Sequence, residues 1–206
     1  VKIVLFVEGH TEHQAVAAFL KRWLDARLDK PVGVQTVRFE GWPELVDHCA
    51  AHARRHLNAP KADVIAVLAL LDLYGPTFYP ADKETPAARY EWAKAHLEAR
   101  VNQPGFSQHF AVHETEAWLL SDPTIFPTEI RKTLVDKYPH PERVNNEEPP
   151  AKLLDRLYQT RLKRGYRKTV DGKLLFGKLD PAAAYQRCPS LKALLDEMLL
   201  RAQQAA

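Results

Sequence analysis

Two unbroken apolar runs, each ending on a carboxylate, constrain this chain more than any other feature. Residues 1–7 (VKIVLFV) stop at Glu8, and residues 63–71 (DVIAVLALL) stop at Asp72. A strand with one wet face would alternate polar and apolar residues, so continuous runs of this length read as strands covered on both faces. Gly9 breaks the first run, and Thr11 stands where a helix N-cap belongs. From there to residue 28, Ala15, Val16, Phe19, Leu20, Trp23 and Leu24 recur at helical spacing. Residues 32–39 read as a second strand and 43–57 as a second helix, with Pro43 in its first turn. Strands that alternate with helices imply a mostly parallel sheet, because parallel neighbours need a crossover connection. Ligands of such sheets sit beyond the carboxyl ends of the strands. Glu8 and Asp72 both stand there.

The grammar continues and then changes. Residues 74–85 are rich in proline and polar groups and read as a long loop over that edge. Residues 86–101 suit a helix, 109–112 a short strand, and 114–120 a helix that ends before Asp122-Pro123. From 127 to 178 short helical patches are split by Pro139, Pro141, Pro149 and Pro150. Residues 189–203 close as an amphipathic helix with Leu191, Leu194, Leu195, Met198 and Leu199 on one side. The expected organisation is an α/β core over residues 1–125 and a helical, basic extension over 126–206 packed on it. No internal repeat or low-complexity tract interrupts the 206 residues.

The acids suggest chemistry. A carboxylate directly after a buried strand is held at the rim of the sheet, where solvent and substrate approach. Two or three such oxygens with open positions suit Mg²⁺ or Mn²⁺. A third contributor is the block HETEAWLL at residues 113–120. On a helix Glu114 and Glu116 point apart, so one of the two faces the pocket, and Glu116 is preferred.

Three blocks together, VEGHTE at 7–12, LDLYG at 71–75 and HETEAWLLSDP at 113–123, resemble a bacterial family of unknown function with a Toprim-like fold. The tail CPSL at 188–191 is similar too, so the resemblance spans nearly the whole chain. It is related to Toprim nucleases of the overcoming-lysogenization-defect type. The resemblance implies a Toprim-like (Rossmann-like) α/β fold with helices on both faces of the sheet. It also implies metal-dependent cleavage at nucleic-acid phosphates, in anti-phage defence or DNA processing. It gives Glu8 an acid/base or ligand role and Asp72 a ligand role, with Glu116 or Glu114 completing the set. One departure matters: the Toprim pattern carries Asp-x-Asp at the second motif, and here Tyr74 takes the place of the second acid. Relatives of this type work beside ATPases of the ABC or structural-maintenance kind, so an ATPase partner is implied. A non-catalytic adaptor subunit docking on such a partner is the rival reading.

Arg161, Lys163, Arg164, Arg167, Lys168, Lys173 and Lys178 crowd one stretch opposed only by Asp171, with Tyr158 and Tyr166 nearby. Cations neutralise phosphates and aromatics stack on unpaired bases, so the stretch is a candidate nucleic-acid surface. Val170-Asp171-Gly172-Lys173 reads as a hairpin turn, which would make it a basic β-arm. A net charge of +3 permits a polyanionic partner without requiring one, so a phosphotransferase acting on a small phosphorylated molecule stays open. His48, His52 and His56 form a helical stripe read as a solvated face, and His10 and His13 lie near Glu8. Neither phosphate-loop glycine pattern occurs, so any ATP site belongs to a partner. Cys49 and Cys188 read as reduced, buried thiols of a cytoplasmic protein. No apolar run approaches the roughly 20 residues of a membrane helix, and the first run is too short for a signal peptide. Self-association is left open.

Overall fold

β1 (Lys2–Val7) is hydrogen-bonded to a neighbour on each side, and helices cover both faces of the sheet, which is why its residues do not alternate. The computed structural model describes residues 1–9, 12–59, 63–144 and 148–205, with only the backbone of Glu12. Its sheet has four strands in the order β2-β1-β3-β4, where β2 is Gly33–Arg38, β3 Val64–Asp72 and β4 Phe106–Ala111. Every pairing is parallel. This is the α/β sheet that the strand and helix alternation predicts.

Strand order decides where the helices go. The chain leaves β1 for β2 on one side, then crosses back to β3 on the other, so the connections cover opposite faces. Ile3, Leu5, Val7, Ala66, Leu68 and Leu70 belong to one hydrophobic cluster. Val4, Phe6, Val67, Ala69 and Leu71, the residues between them, belong to a second. The second cluster is capped by α2 (Trp42–Leu57) and α3 (Pro86–Val101) through Leu45, Cys49, Ala93 and Leu97. Gly41 starts α2 at φ +99°, a backbone region that only glycine adopts without strain. Thr85 caps α3 by accepting from the Ala88 N–H at 3.2 Å.

The first cluster is shared between α1 (Ala17–Asp25) and the carboxyl-terminal third of the chain. That third comprises α5 (Thr128–Leu134), α6 (Pro150–Leu162), α7 (Lys173–Lys178), α8 (Pro181–Arg187) and α9 (Pro189–Gln204). The short α4 (Glu116–Leu119) precedes them. Leu191, Leu194, Leu195 and Met198 of α9 are buried in the same cluster as Ile3 and Leu5 of β1. Glu197 of α9 accepts from the Ser107 hydroxyl at 2.5 Å and meets His109 Nε2 at 2.9 Å, so the helix is braced against β4.

Several expectations are corrected. β4 begins at Phe106 rather than residue 109, because Ser107, Gln108 and His109 are polar yet buried, with Ser107 and His109 Nε2 bonded to Glu197 and the Gln108 amide nitrogen to the carbonyls of Ala69 and His109. The hairpin expected at 170–173 does not form. Lys168–Gly172 is a π-helical turn running into α7, wound around Asp171, which accepts from the Arg164 guanidinium and the Arg167 N–H. There is therefore no β-arm. His52 and His56 are half-buried against Phe6, and His52 also meets Phe39, so this part of the histidine stripe is packed rather than solvated. Burial lowers the His56 pKa. Helix α1 is preceded by a π-helical turn, Glu12–Val16; the expected cap Thr11 lies outside the described residues. Cys49 and Cys188 are free and buried. Among the described residues no helix is long and apolar enough to cross a membrane.

Candidate functional site

Parallel register brings the acids together. Val7 pairs with Leu70, so Glu8, the next residue, arrives beside the end of β3, and Asp72 is the last residue of that strand. The Asp72 N–H donates to Glu8 Oε1 at 3.2 Å. Asp72 also pairs with Ala111, the last residue of β4, so the segment leaving β4 passes over it. The Thr115 N–H donates to Asp72 Oδ1 at 3.0 Å, and the Thr115 hydroxyl donates to Glu116 Oε2 at 3.4 Å. Three neighbouring strand ends thus deliver Glu8, Asp72 and Glu116 to one edge.

A cation stands among them. Lys168 Nζ lies 3.2 Å from Glu116 Oε2 and 3.7 Å from Asp72 Oδ2. Glu116 is fully buried, while the Lys168 side chain keeps 38% of its exposure. A carboxylate taken wholly out of water needs an opposing charge or several donors, and the ammonium supplies the charge. Among the described residues no three His, Cys, Asp or Glu side chains stand close enough to hold a metal between them as they are. Lys168 sits between two of the acids.

Glu114 is placed differently. Its Oε2 accepts the Ala151 N–H at 2.9 Å, in the first turn of α6, where backbone donors lack helical partners and a negative charge suits the helix dipole. The basic residues also divide. Arg164 forks onto Asp171 with two bonds of 2.8 Å and covers the Tyr158 ring, and Arg167 Nε lies 3.5 Å from the same carboxylate. Arg161, Lys163 and Lys178 are exposed, and Lys173 donates to Gln14. Of the seven, Lys168 is the one paired with Asp72 and Glu116.

Two aromatic residues stand near the acids: Tyr166, expected from the sequence only as a ring within the basic stretch, and Tyr79, which carried no signal there. Tyr166 has a buried hydroxyl with no hydrogen-bond partner among the described residues; burial pushes it far up, and the Glu116 charge adds to this. Tyr79 donates to the Leu73 carbonyl at 2.9 Å, and burial likewise raises its hydroxyl. His13 is half-buried and its carbonyl accepts from the Thr36 hydroxyl. His10 lies outside the described residues.

The family model described as a domain of unknown function, DUF4276, matches residues 7–199. The chain belongs to the DUF4276 family. No curated protein matches this DUF4276 chain. Among solved structures, the C-terminal region of the Burkholderia pseudomallei OLD protein is similar at 18% identity and a TM-score of 0.50, with 99% of this chain and 98% of that one covered. The similarity is one of fold. With the all-parallel sheet and helices on both faces, it bears out the Toprim-like α/β architecture.

Proposed function

We propose that this DUF4276 chain is a divalent-metal-dependent nuclease that hydrolyses nucleic-acid phosphodiesters at the carboxyl edge of its sheet. The observation that carries the reading is the juxtaposition of Glu8 and Asp72, joined by the 3.2 Å bond from the Asp72 N–H, with Lys168 bridging Asp72 and Glu116. The donors are all carboxylate oxygens, which fits Mg²⁺ or Mn²⁺, ions held by a few carboxylates with water completing the shell. Glu8 and Asp72 would hold the ion, with Glu116 tied to Asp72 through Lys168. When bound, it would polarise a phosphoryl oxygen and activate water.

The chain's own groups do the rest. The Thr115 N–H fixes one oxygen of Asp72, so the carboxylate is oriented before any ligand arrives. Lys168 offsets the charge of Asp72 and Glu116, and its exposed portion gives a phosphate oxygen a cation to meet. The fold likeness to the OLD region supports a nucleic-acid substrate and an ATPase-associated context, as does the exposed set Arg161, Lys163 and Lys178. Tyr74, standing where the Toprim pattern has its second aspartate, favours a second reading, a non-catalytic adaptor for an ATPase partner.

Cleavage of labelled DNA and RNA with Mn²⁺ or Mg²⁺ separates the two. The nuclease reading expects cleavage that chelation stops and that Glu8→Gln and Asp72→Asn each abolish, with unfolding temperature little changed. Equal cleavage by both variants, or none by the unaltered chain with either metal, refutes it.

A further inference from the structure

The loop between β3 and α3 and the start of α3 carry groups that the acid cluster does not use. The Tyr79 hydroxyl is fastened to the carbonyl of Leu73, the residue after Asp72. Burial dominates the environment of that hydroxyl; Arg89 opposes the effect of burial, and the charges of Glu8 and Asp72 reinforce it. Tyr79 is thus flanked by the acids and by Arg89, whose guanidinium lies 5.2 Å from the centre of its ring. Arg89 Nε donates to the Lys83 carbonyl at 2.9 Å, and the guanidinium makes no ion pair among the described residues. It stands in the first turn of α3, which starts at the carboxyl edge because β3 leads into it. There the helix dipole also favours an anion.

Beside Tyr79 the rings continue. Phe78 lies 4.8 Å from Tyr79, 5.7 Å from Trp42 and 5.9 Å from Trp92, centre to centre. Phe78, Trp42 and Trp92 pack partly against the second cluster and are partly exposed, and Trp92 also stacks on His96 at 4.7 Å. Trp42 opens α2 just beyond the end of β2, so this ledge belongs to the same edge as Glu8 and Asp72.

We propose that Arg89 and the Phe78–Trp42–Trp92 ledge bind an unpaired nucleic-acid strand leading into the acid cluster, a phosphate on the guanidinium and bases on the rings. The proposal rests on the nuclease reading and names its substrate class: single-stranded DNA or RNA, or the unpaired arm of a larger molecule. A guanidinium takes phosphate oxygens in a two-bond fork, and among the described residues no carboxylate pairs with Arg89. Partly exposed rings such as these stack on bases of any identity, but only on bases not already stacked in a duplex.

The test is fluorescence anisotropy on the full chain in chelator, so that cleavage does not intervene. The probes are labelled oligodeoxythymidylate, oligouridylate and a DNA duplex of equal length. At least one single strand should bind about tenfold more tightly than the duplex, and the two sugars show which polymer is preferred. Phe78→Leu keeps apolar bulk but removes the aromatic face, and should weaken single-strand binding about tenfold while leaving the duplex unchanged. Arg89→Gln should reduce the slope of log affinity against log salt by about 0.7. Trp92→Phe, which keeps a ring, should retain single-strand binding if Phe78→Leu fails to fold; Trp92→Leu should then lose it. Equal affinity for duplex and single strands, or single-strand affinity untouched in these variants, overturns the proposal. Ring-dependent single-strand binding without metal-dependent cleavage would keep the ledge and remove the nuclease reading. Metal-dependent cleavage with a preference for duplex would do the reverse.

Discussion

Replacing Glu197 by Gln probes the brace that holds β4, the strand leading to Glu116. The carboxylate accepts from the Ser107 hydroxyl at 2.5 Å, meets His109 Nε2 at 2.9 Å and pairs with Arg201 at 3.2 Å. Burial alone would push its pKa up, but the bonds from His109 and Ser107, with Arg201, hold it at about 2, against an ordinary 4.5. A carboxyl whose pKa is depressed on folding stabilises the fold above its unfolded pKa and loses that contribution as pH falls toward its folded one. Here the contribution is complete above pH 4.5 and gone near pH 2. That depression corresponds to roughly 3 kcal/mol, at about 1.4 kcal/mol per pH unit. Gln keeps the shape without the charge, so Glu197→Gln should cost about that much at pH 7. Urea unfolding followed by tryptophan fluorescence, for both proteins between pH 7 and pH 2, measures the difference. It should shrink steadily below pH 4.5. A difference under about 0.5 kcal/mol at pH 7, or one that ignores pH, refutes the reasoning.

Two further outcomes follow from the site. Glu114→Ala removes an acceptor from the start of α6 and should cost about 1 kcal/mol, or about 2–4 °C in unfolding temperature, with metal-dependent cleavage within about twofold of the unaltered chain. Loss of cleavage in a folded Glu114→Ala protein would place that acid in the cluster instead. Asp171→Asn should lower the unfolding temperature by about 5 °C and make nucleic-acid binding more salt-sensitive, by releasing Arg164 and Arg167. Arg164 holds the Asp171 carboxyl below its ordinary 3.8, so the stability gap between the two proteins should be full above that pH and narrow below it; thermal melts across pH check the sign.

What could be read from the sequence was what depended on nearby residues. β1 and β3 were legible because residues 3–7 and 64–71 are apolar on both faces, and α3 because Thr85-Pro86 opens it and its charges leave room for Ala93, Leu97 and Val101. The meeting of Glu8 with Asp72 followed from parallel topology. The first half of β4 stayed hidden because the groups that satisfy Ser107 and His109 come from Glu197, far along the chain. Asp171-Gly172 carried a turn signal, but Arg164 claimed the aspartate and wound the segment helically. That same winding accompanies the placement of Lys168 against Glu116, which no periodicity announces.

The sharing of one hydrophobic cluster by β1 and α9 has a consequence for synthesis. Ribosomes add about 5–20 residues per second, so the first strand emerges roughly ten to forty seconds before the helix that covers it. Until then one face of β1 and β3, with Ile3, Leu5, Leu68 and Leu70, has only α1 to cover it. Contacts of such long sequence separation form late, and apolar strands left waiting are what chaperones hold. The edge that gathers Glu8, Asp72 and Glu116 stands on those same strands, and its cation, Lys168, is itself made late. A product cut short before α9 would therefore present sticky strands on that face.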